Sequence, residues 1–191
     1  MTQRPPLVVG LGGTTVPGSS TERALQIALR AAEARGAQVQ MFDGAFLACL
    51  PLYVPRAHQR TVEEAAFVDA VRRADGLLIA SPGYHGSLSG LVKNALDLLE
   101  ETAGDPRIYL SGVPVGLIAT AYGPQATGGT IAALRTIVHA LRGWPTPLAA
   151  AVNSAVSGVT DDGVWSDPAV TAQLSLVGEQ VVDFLRRPAL A

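Results

Sequence analysis

Residues 77–99 read Leu-Leu-Ile-Ala-Ser-Pro-Gly-Tyr-His-Gly-Ser-Leu-Ser-Gly-Leu-Val-Lys-Asn-Ala-Leu-Asp-Leu-Leu. The apolar run Leu77 to Ala80 predicts a buried strand, Gly76 to Ser81, that stops at Ser81-Pro82. Glycines and small polar residues follow. Leu88, Leu91, Val92, Ala95, Leu96 and Leu99 then recur at helical spacing and predict a helix from Leu88 to about Glu101. A strand that empties through a Gly-rich loop into a helix makes a ligand shelf at the carboxyl edge of a parallel sheet. The loop carries one aromatic, Tyr84, and one imidazole, His85. Gly83 and Gly86 lack a Cβ and let the backbone come close to a ligand. That set suits a flat, polar-edged ring better than a metal or a peptide.

The same alternation runs outward in both directions. Leu7 to Leu11 and Ala37 to Phe42 predict the first two strands, the second alternating as an edge strand does. Thr21 to Arg35 and Thr61 to Ala74 predict the helices that follow them, with residues 44–60 as a long connection. Val113 to Ala121 predicts a fourth strand, apolar almost throughout and so central. Thr130 to Leu141 predicts a helix, Leu148 to Asn153 a short fifth strand, and Pro168 to Arg187 a closing helix. Five strands alternating with five helices make a three-layer α/β/α sandwich. The handedness of parallel crossovers leaves few topologies. The flavodoxin-like order 2-1-3-4-5 fits best, as a single domain over residues 1–191. Its crevice opens where the winding reverses, between strands 1 and 3. The loops after those strands, 12–20 and 81–87, are this chain's two Gly- and Ser-rich loops.

Composition narrows the function. A net charge of −2 over 191 residues gives no footprint for nucleic acid or an anionic membrane. No apolar run approaches the roughly 20 residues that span a bilayer, and the N-terminus lacks the apolar core of a signal peptide. The single cysteine, Cys49, has no internal disulfide partner and points to a reducing, cytoplasmic setting. It reads as a buried filler. His58 and His139 have no ligand-spaced companions, so no metal site is expected. Lys93 and Asp97, four apart, read as a solvated pair.

The loop Gly12 to Glu22 follows a strand and opens a helix. Helix N-termini offer unpaired N–H groups and a positive dipole end. Together Gly13, Thr14, Thr15, Ser19, Ser20 and Thr21 supply donors for a single phosphate. The spacing is neither the dinucleotide pattern nor a P-loop. Ser19 to Glu22 also reads as a capping box, which would close the helix with no ligand. Pro82, Gly83, Tyr84, His85 and Gly86 would lie alongside the ring. The loop that begins Thr120, Ala121, Tyr122, Gly123 ends the fourth strand on the same edge and completes the cradle.

Two segments resemble the NAD(P)H-dependent FMN reductase family: Gly13-Thr14-Thr15-x-Pro17-Gly18-Ser19-Ser20-Thr21, and Ser81 to Ser87 with Gly90-Leu91-Val92-Lys93-Asn94-Ala95-Leu96-Asp97. The order of elements matches from about residue 6 to residue 187. The resemblance implies non-covalent FMN, with its phosphate in loop 13–21 and its ring against 82–86. NAD(P)H would be the hydride donor, and a quinone, another small acceptor or a partner monooxygenase the recipient. It also implies homodimers or homotetramers, with the apolar segment Phe46 to Tyr53 as a candidate interface. No side-chain acid or base is required, so no catalytic residue is assigned. Other readings of the same fold are a flavodoxin-type electron carrier and a flavin-free scaffold subunit. The chain departs from the family at Val16, where many members carry a phosphate-pairing arginine, and at Gly83 and His85, where many carry glutamate and asparagine. A missing charged hydrogen bond costs ~1.5–3 kcal/mol.

Overall fold

The computed structural model describes residues 4–160 and 165–186. A parallel sheet is formed by β1 (Leu7–Gly12), β2 (Gln38–Phe42), β3 (Gly76–Tyr84), β5 (Pro114–Ala121) and β6 (Trp144–Asn153), in the order β2-β1-β3-β5-β6. Setting aside β4 (Ser87–Leu88), this is the expected 2-1-3-4-5 order. The short β4 pairs antiparallel with the end of β3 and stands off the main sheet.

Side chains alternate across the sheet, as the two-residue period requires. Val9, Leu11, Leu77, Ile79, Val115 and Leu117 face one side, where they meet Phe67 and Val71 of α3 (Val62–Arg73), Val92, Ala95 and Leu96 of α4 (Gly90–Asp97), and Leu134 and Val138 of α5 (Pro124–Ala140). Val8, Leu78, Ala80, Ile118 and Val152 face the other, against α1 (Ser20–Ala34) and α6 (Pro168–Leu185). On that side the helices sit very close. A Cβ on Gly116 would lie 2.8 Å from a Val177 methyl of α6, and one on Gly178 would lie 2.0 Å from the Ala28 carbonyl oxygen.

Several boundaries differ from the sequence reading. The third strand runs on through Pro82 and Gly83 to Tyr84, so the expected loop 81–87 is largely a hairpin. The helix expected at 88–101 is α-helical only over Gly90–Asp97 and tightens to a 3₁₀ turn over Leu98–Thr102. The helix expected from Thr130 begins at Pro124, because Pro124 at the first position presets its φ and the Gly128-Gly129 pair is carried within it. The last strand starts at Trp144 rather than Leu148. Its two prolines are tolerated because it is an edge strand. Arg135 donates to the Thr146 and Pro147 carbonyls, and Gln180 accepts from Leu148 N–H, so this half of the edge is covered. Within the connection 44–60, Asp43 caps a short helix, α2 (Gly44–Ala48), accepting from Phe46 N–H at 2.8 Å. Arg187, the expected end of the closing helix, lies outside the described residues.

Two further expectations are corrected. Cys49 is exposed, since it falls one residue past α2 on the face turned from Leu47. The segment Phe46 to Tyr53 is not one apolar surface. Leu47 and Leu50 enter the core and the Phe46 ring packs tilted against Phe42, centroids 4.7 Å apart, leaving Leu52 as its large exposed apolar residue. Lys93 and Asp97 do pair, at 2.5 Å, on an exposed face.

Candidate functional site

Strand register brings the three predicted segments to one edge. Gly12 pairs with Ala80, and Pro82 pairs with Thr120, so the chain leaves β1, β3 and β5 at neighbouring points. The exit from β1 demands glycine. Gly12 has φ 147°, and a Cβ there would lie 2.1 Å from the Ala80 carbonyl oxygen. Gly13 follows at φ 115°, packed on α2: its Cβ would lie 3.0 Å from the Gly44 nitrogen. Gly44 in turn leaves no room for a side chain, because a Cβ there would lie 1.8 Å from the Thr14 carbonyl oxygen. The start of α2 thus buttresses the turn at 13–14.

The hydroxyls of this turn divide into committed and open ones. Thr14 Oγ1 accepts from Val16 N–H at 3.1 Å and closes a local turn. Ser19 is the N-cap of α1 and accepts from Glu22 N–H at 3.3 Å. The capping is not the reciprocal box, because the Glu22 carboxylate accepts from Gly18 N–H at 3.0 Å instead of returning to Ser19. Thr21 is buried and its hydroxyl meets that of Thr120 at 2.5 Å, tying the start of α1 to the end of β5. Thr15 is exposed and Ser20 half-buried at the helix start. The N–H groups of Ser20 and Thr21, in the first turn, have no carbonyl to reach within the helix.

On the other side Tyr84 pairs with Ser87, leaving His85 and Gly86 as a two-residue turn. Both have positive φ, 50° and 87°, as a type I′ turn requires. Gly83 is glycine for packing: a Cβ would lie 2.8 Å from Thr130 Oγ1 and 3.2 Å from the Ala121 Cβ. Pro82 is buried, whereas Tyr84 is 54% exposed. Gly86 has open space where a Cβ would go. The third segment is anchored through the Ala121 carbonyl, which accepts from Ser154 N–H at 2.8 Å. Tyr122 is 84% exposed beside it, and Gly123 caps α5 with no side-chain bond.

Sequence reasoning missed three contributors. Gly12 and Gly44 shape the first turn. Asn94 donates to the Pro51 carbonyl and accepts from Tyr53 N–H, clamping the strap 51–53 on α4. Gly44 had a signal, an aspartate before a glycine, but its contact partner is 30 residues away in sequence. Two clefts lie away from this edge. One of about 340 Å³ is lined by Val71, Arg72, Asp105 and Arg107. There Arg107 donates to the Val71, Arg72 and Ala74 carbonyls, and burial lowers its pKa. The other, about 540 Å³, is lined by Tyr53, Arg56, Asp97, Glu100 and Glu101. Among the described residues no three His, Cys, Asp or Glu side chains are placed to hold a metal, and no helix is long and apolar enough to cross a membrane.

Comparison with known proteins identifies the family and the fold. The FMN-dependent NADPH-azoreductase of Staphylococcus haemolyticus (strain JCSC1435) is 33% identical over 121 residues, 62% of this chain and 61% of that protein. The enzyme of the same description from Staphylococcus aureus (strain USA300) is 33% identical over 114 residues, 59% of this chain and 57% of that one. Each match therefore spans less than two thirds of the relative's length. Among solved structures, the flavoenzyme NAD(P)H:(acceptor) oxidoreductase FerB from Paracoccus denitrificans has TM-score 0.77 at 20% identity, over 94% of this chain and 97% of that one. An oxidoreductase from Corynebacterium diphtheriae has TM-score 0.76 at 18% identity, over 97% and 100%. At these identities the structures speak to the fold. The model of NADPH-dependent FMN reductases matches residues 6–157, which include every segment of the site, and the chain belongs to that family.

Proposed function

We propose that this protein binds FMN non-covalently at the carboxyl edge of its sheet and acts as an NAD(P)H-dependent oxidoreductase. When bound, FMN supplies the redox chemistry, taking hydride from the nicotinamide and passing electrons to a second acceptor. The chain's own residues bind and orient. Gly13, Thr14, Thr15, Ser19 and Ser20 would surround the phosphate. Thr21, held by Thr120, fixes the start of α1 behind it. Pro82, Gly83, Tyr84, His85 and Gly86 would border the ring, with Thr120, Ala121, Tyr122 and Gly123 closing the far side. The observation that carries the reading is the juxtaposition of a hydroxyl-rich helix start with the Tyr84–Gly86 hairpin tip across the β1/β3 crevice. The open space at Gly86 and Gly123 leaves room for a flat ring.

The second acceptor is proposed as a small molecule, a quinone or an azo dye, or free flavin delivered to a partner monooxygenase. A cytoplasmic setting, a single domain and a homodimer or homotetramer complete the proposal. Leu52, Val54 and Val62, exposed at 82%, 57% and 81%, support association through the rim of the 49–62 segment. Purified protein titrated with FMN should quench flavin fluorescence and then oxidise NAD(P)H. No binding at micromolar FMN would end this reading.

A further inference from the structure

We infer that Arg23, from the first turn of α1, supplies the positive charge that neutralises the ligand's phosphate in this chain. The inference rests on the FMN reading of the site. A phosphate monoester carries close to two negative charges near neutral pH, and residues 13–21 contain no lysine or arginine. Val16, 63% exposed, puts an apolar side chain in the turn. The nearest committed charge is of the wrong sign, since the Glu22 carboxylate accepts from Gly18 N–H at 3.0 Å and from Gln26 at 3.2 Å. Backbone N–H groups and hydroxyls alone would have to hold the phosphate beside that carboxylate.

Arg23 is placed to change this balance. Its Nε donates to the Gly18 carbonyl at 3.0 Å, which holds the guanidinium against the turn. Nη2 lies 3.4 Å from where a Gly18 Cβ would stand, so the fork rests over Gly18. Arg23 makes no ion pair among the described residues. Other arginines whose heads are held in place are spent on structure. Arg4, Arg35, Arg60 and Arg72 pair with carboxylates, and Arg107 and Arg135 serve carbonyls. Arg23 is thus held by one nitrogen with the rest of a bidentate fork uncommitted, the geometry that recognises phosphate.

The test compares FMN with riboflavin, which has the same ring and no phosphate. Binding to wild type, Arg23→Gln and Arg23→Lys is read from flavin fluorescence, with ligand-free unfolding curves alongside. Arg23→Gln should weaken FMN by roughly ten- to a hundredfold, the loss of a charge-assisted hydrogen bond, and leave riboflavin within about twofold. The salt dependence of FMN binding should flatten in the same variant. Arg23→Lys should recover part of the loss. Val16→Arg placed on Arg23→Gln should recover FMN binding by returning the charge from the neighbouring position. Unchanged FMN affinity in Arg23→Gln overturns the assignment, and so does an equal loss for FMN and riboflavin, which would mean a loosened fold. Wild-type protein that binds neither flavin overturns the FMN reading itself, a result distinct from both.

Discussion

Gly44→Ala tests whether the first turn is shaped by its neighbour rather than by its own hydroxyls. The added Cβ would stand 1.8 Å from the Thr14 carbonyl oxygen, 2.4 Å from its carbon and 2.7 Å from its nitrogen. All three are backbone atoms, so no side chain can swing aside. Reaching the 3.4 Å of an ordinary contact demands a displacement of about 1.6 Å between α2 and the turn. Overpacking of this kind costs about 1–3 kcal/mol. At roughly 2–4 °C per kcal/mol for a chain of this size, the melting temperature should fall measurably. The larger effect should be on the ligand. A displaced turn would lose a charge-assisted hydrogen bond to the phosphate, worth about 1.5–3 kcal/mol or roughly ten- to a hundredfold in affinity. FMN affinity should therefore drop by tenfold or more, while riboflavin, lacking the phosphate, should lose much less. Gly128→Ala is the control, an exposed helical glycine with open space around it. It should stabilise the fold by about 0.5–1 kcal/mol and leave binding alone. If Gly44→Ala binds FMN and melts as wild type does, α2 is not the buttress.

Gly178→Ala would put a Cβ 2.0 Å from the Ala28 carbonyl oxygen and part α1 from α6, so urea unfolding should show a loss of about 1–3 kcal/mol or more. Asn94→Ala should cost about 1–3 kcal/mol, because Tyr53 N–H and the Pro51 carbonyl lose their partner, and limited proteolysis should begin within residues 51–60. Arg60→Met should cost about 3 kcal/mol by leaving the buried Glu64 carboxylate without its cation; adding Glu64→Gln should restore much of it. Tyr109 donates to the Glu100 carboxylate at 2.9 Å, and that bond, with burial and the Glu100 charge, raises the phenol above its ordinary value of 10.0. The folded chain therefore keeps this proton longer than the unfolded chain does. The resulting stability is present below about pH 10 and is lost as pH rises through the folded value. Tyr109→Phe should reduce that alkaline loss in unfolding curves compared between about pH 9 and about pH 11.

The buried parallel strands announced themselves in sequence, because residues covered on both faces read as continuous apolar runs. Leu77 to Ala80 and Val115 to Ala121 are such runs, and their alternation with helical patterns carried the topology. What escaped depended on contacts distant in sequence. His85-Gly86 lacks the Asn-Gly or Asp-Gly signature of a tight hairpin turn, so the overhang of β3 looked like a loop. The helix expected from Thr130 leaves out Gly128-Gly129, yet a Cβ on Gly129 would lie 3.0 Å from the Gly86 carbonyl oxygen, which gives that glycine a packing reason inside α5. Pro145 and Pro147 hid the start of β6, since prolines fit a strand only where an edge is free. Cys49 is exposed against expectation because a five-residue helix carries too little periodicity to show which face is inward. At the site, the donor-rich turn was legible, but Thr21 turned inward to Thr120, a partner 99 residues away.

The wall beside the crevice is an overhang of the central strand, clamped between β5 and the first turns of α5. A cantilever of this kind has no hinge. To swing outward, it would have to unzip Pro82 from Thr120 and lift Gly83 off Ala121 and Thr130. The opposite bank is tied as well, by the Thr14–Val16, Glu22–Gly18 and Arg23–Gly18 hydrogen bonds, so the exposed Tyr122 side chain is what can change the width of the mouth without breaking a described contact of either bank. The hairpin bank of the crevice thus moves only with the core of the sheet.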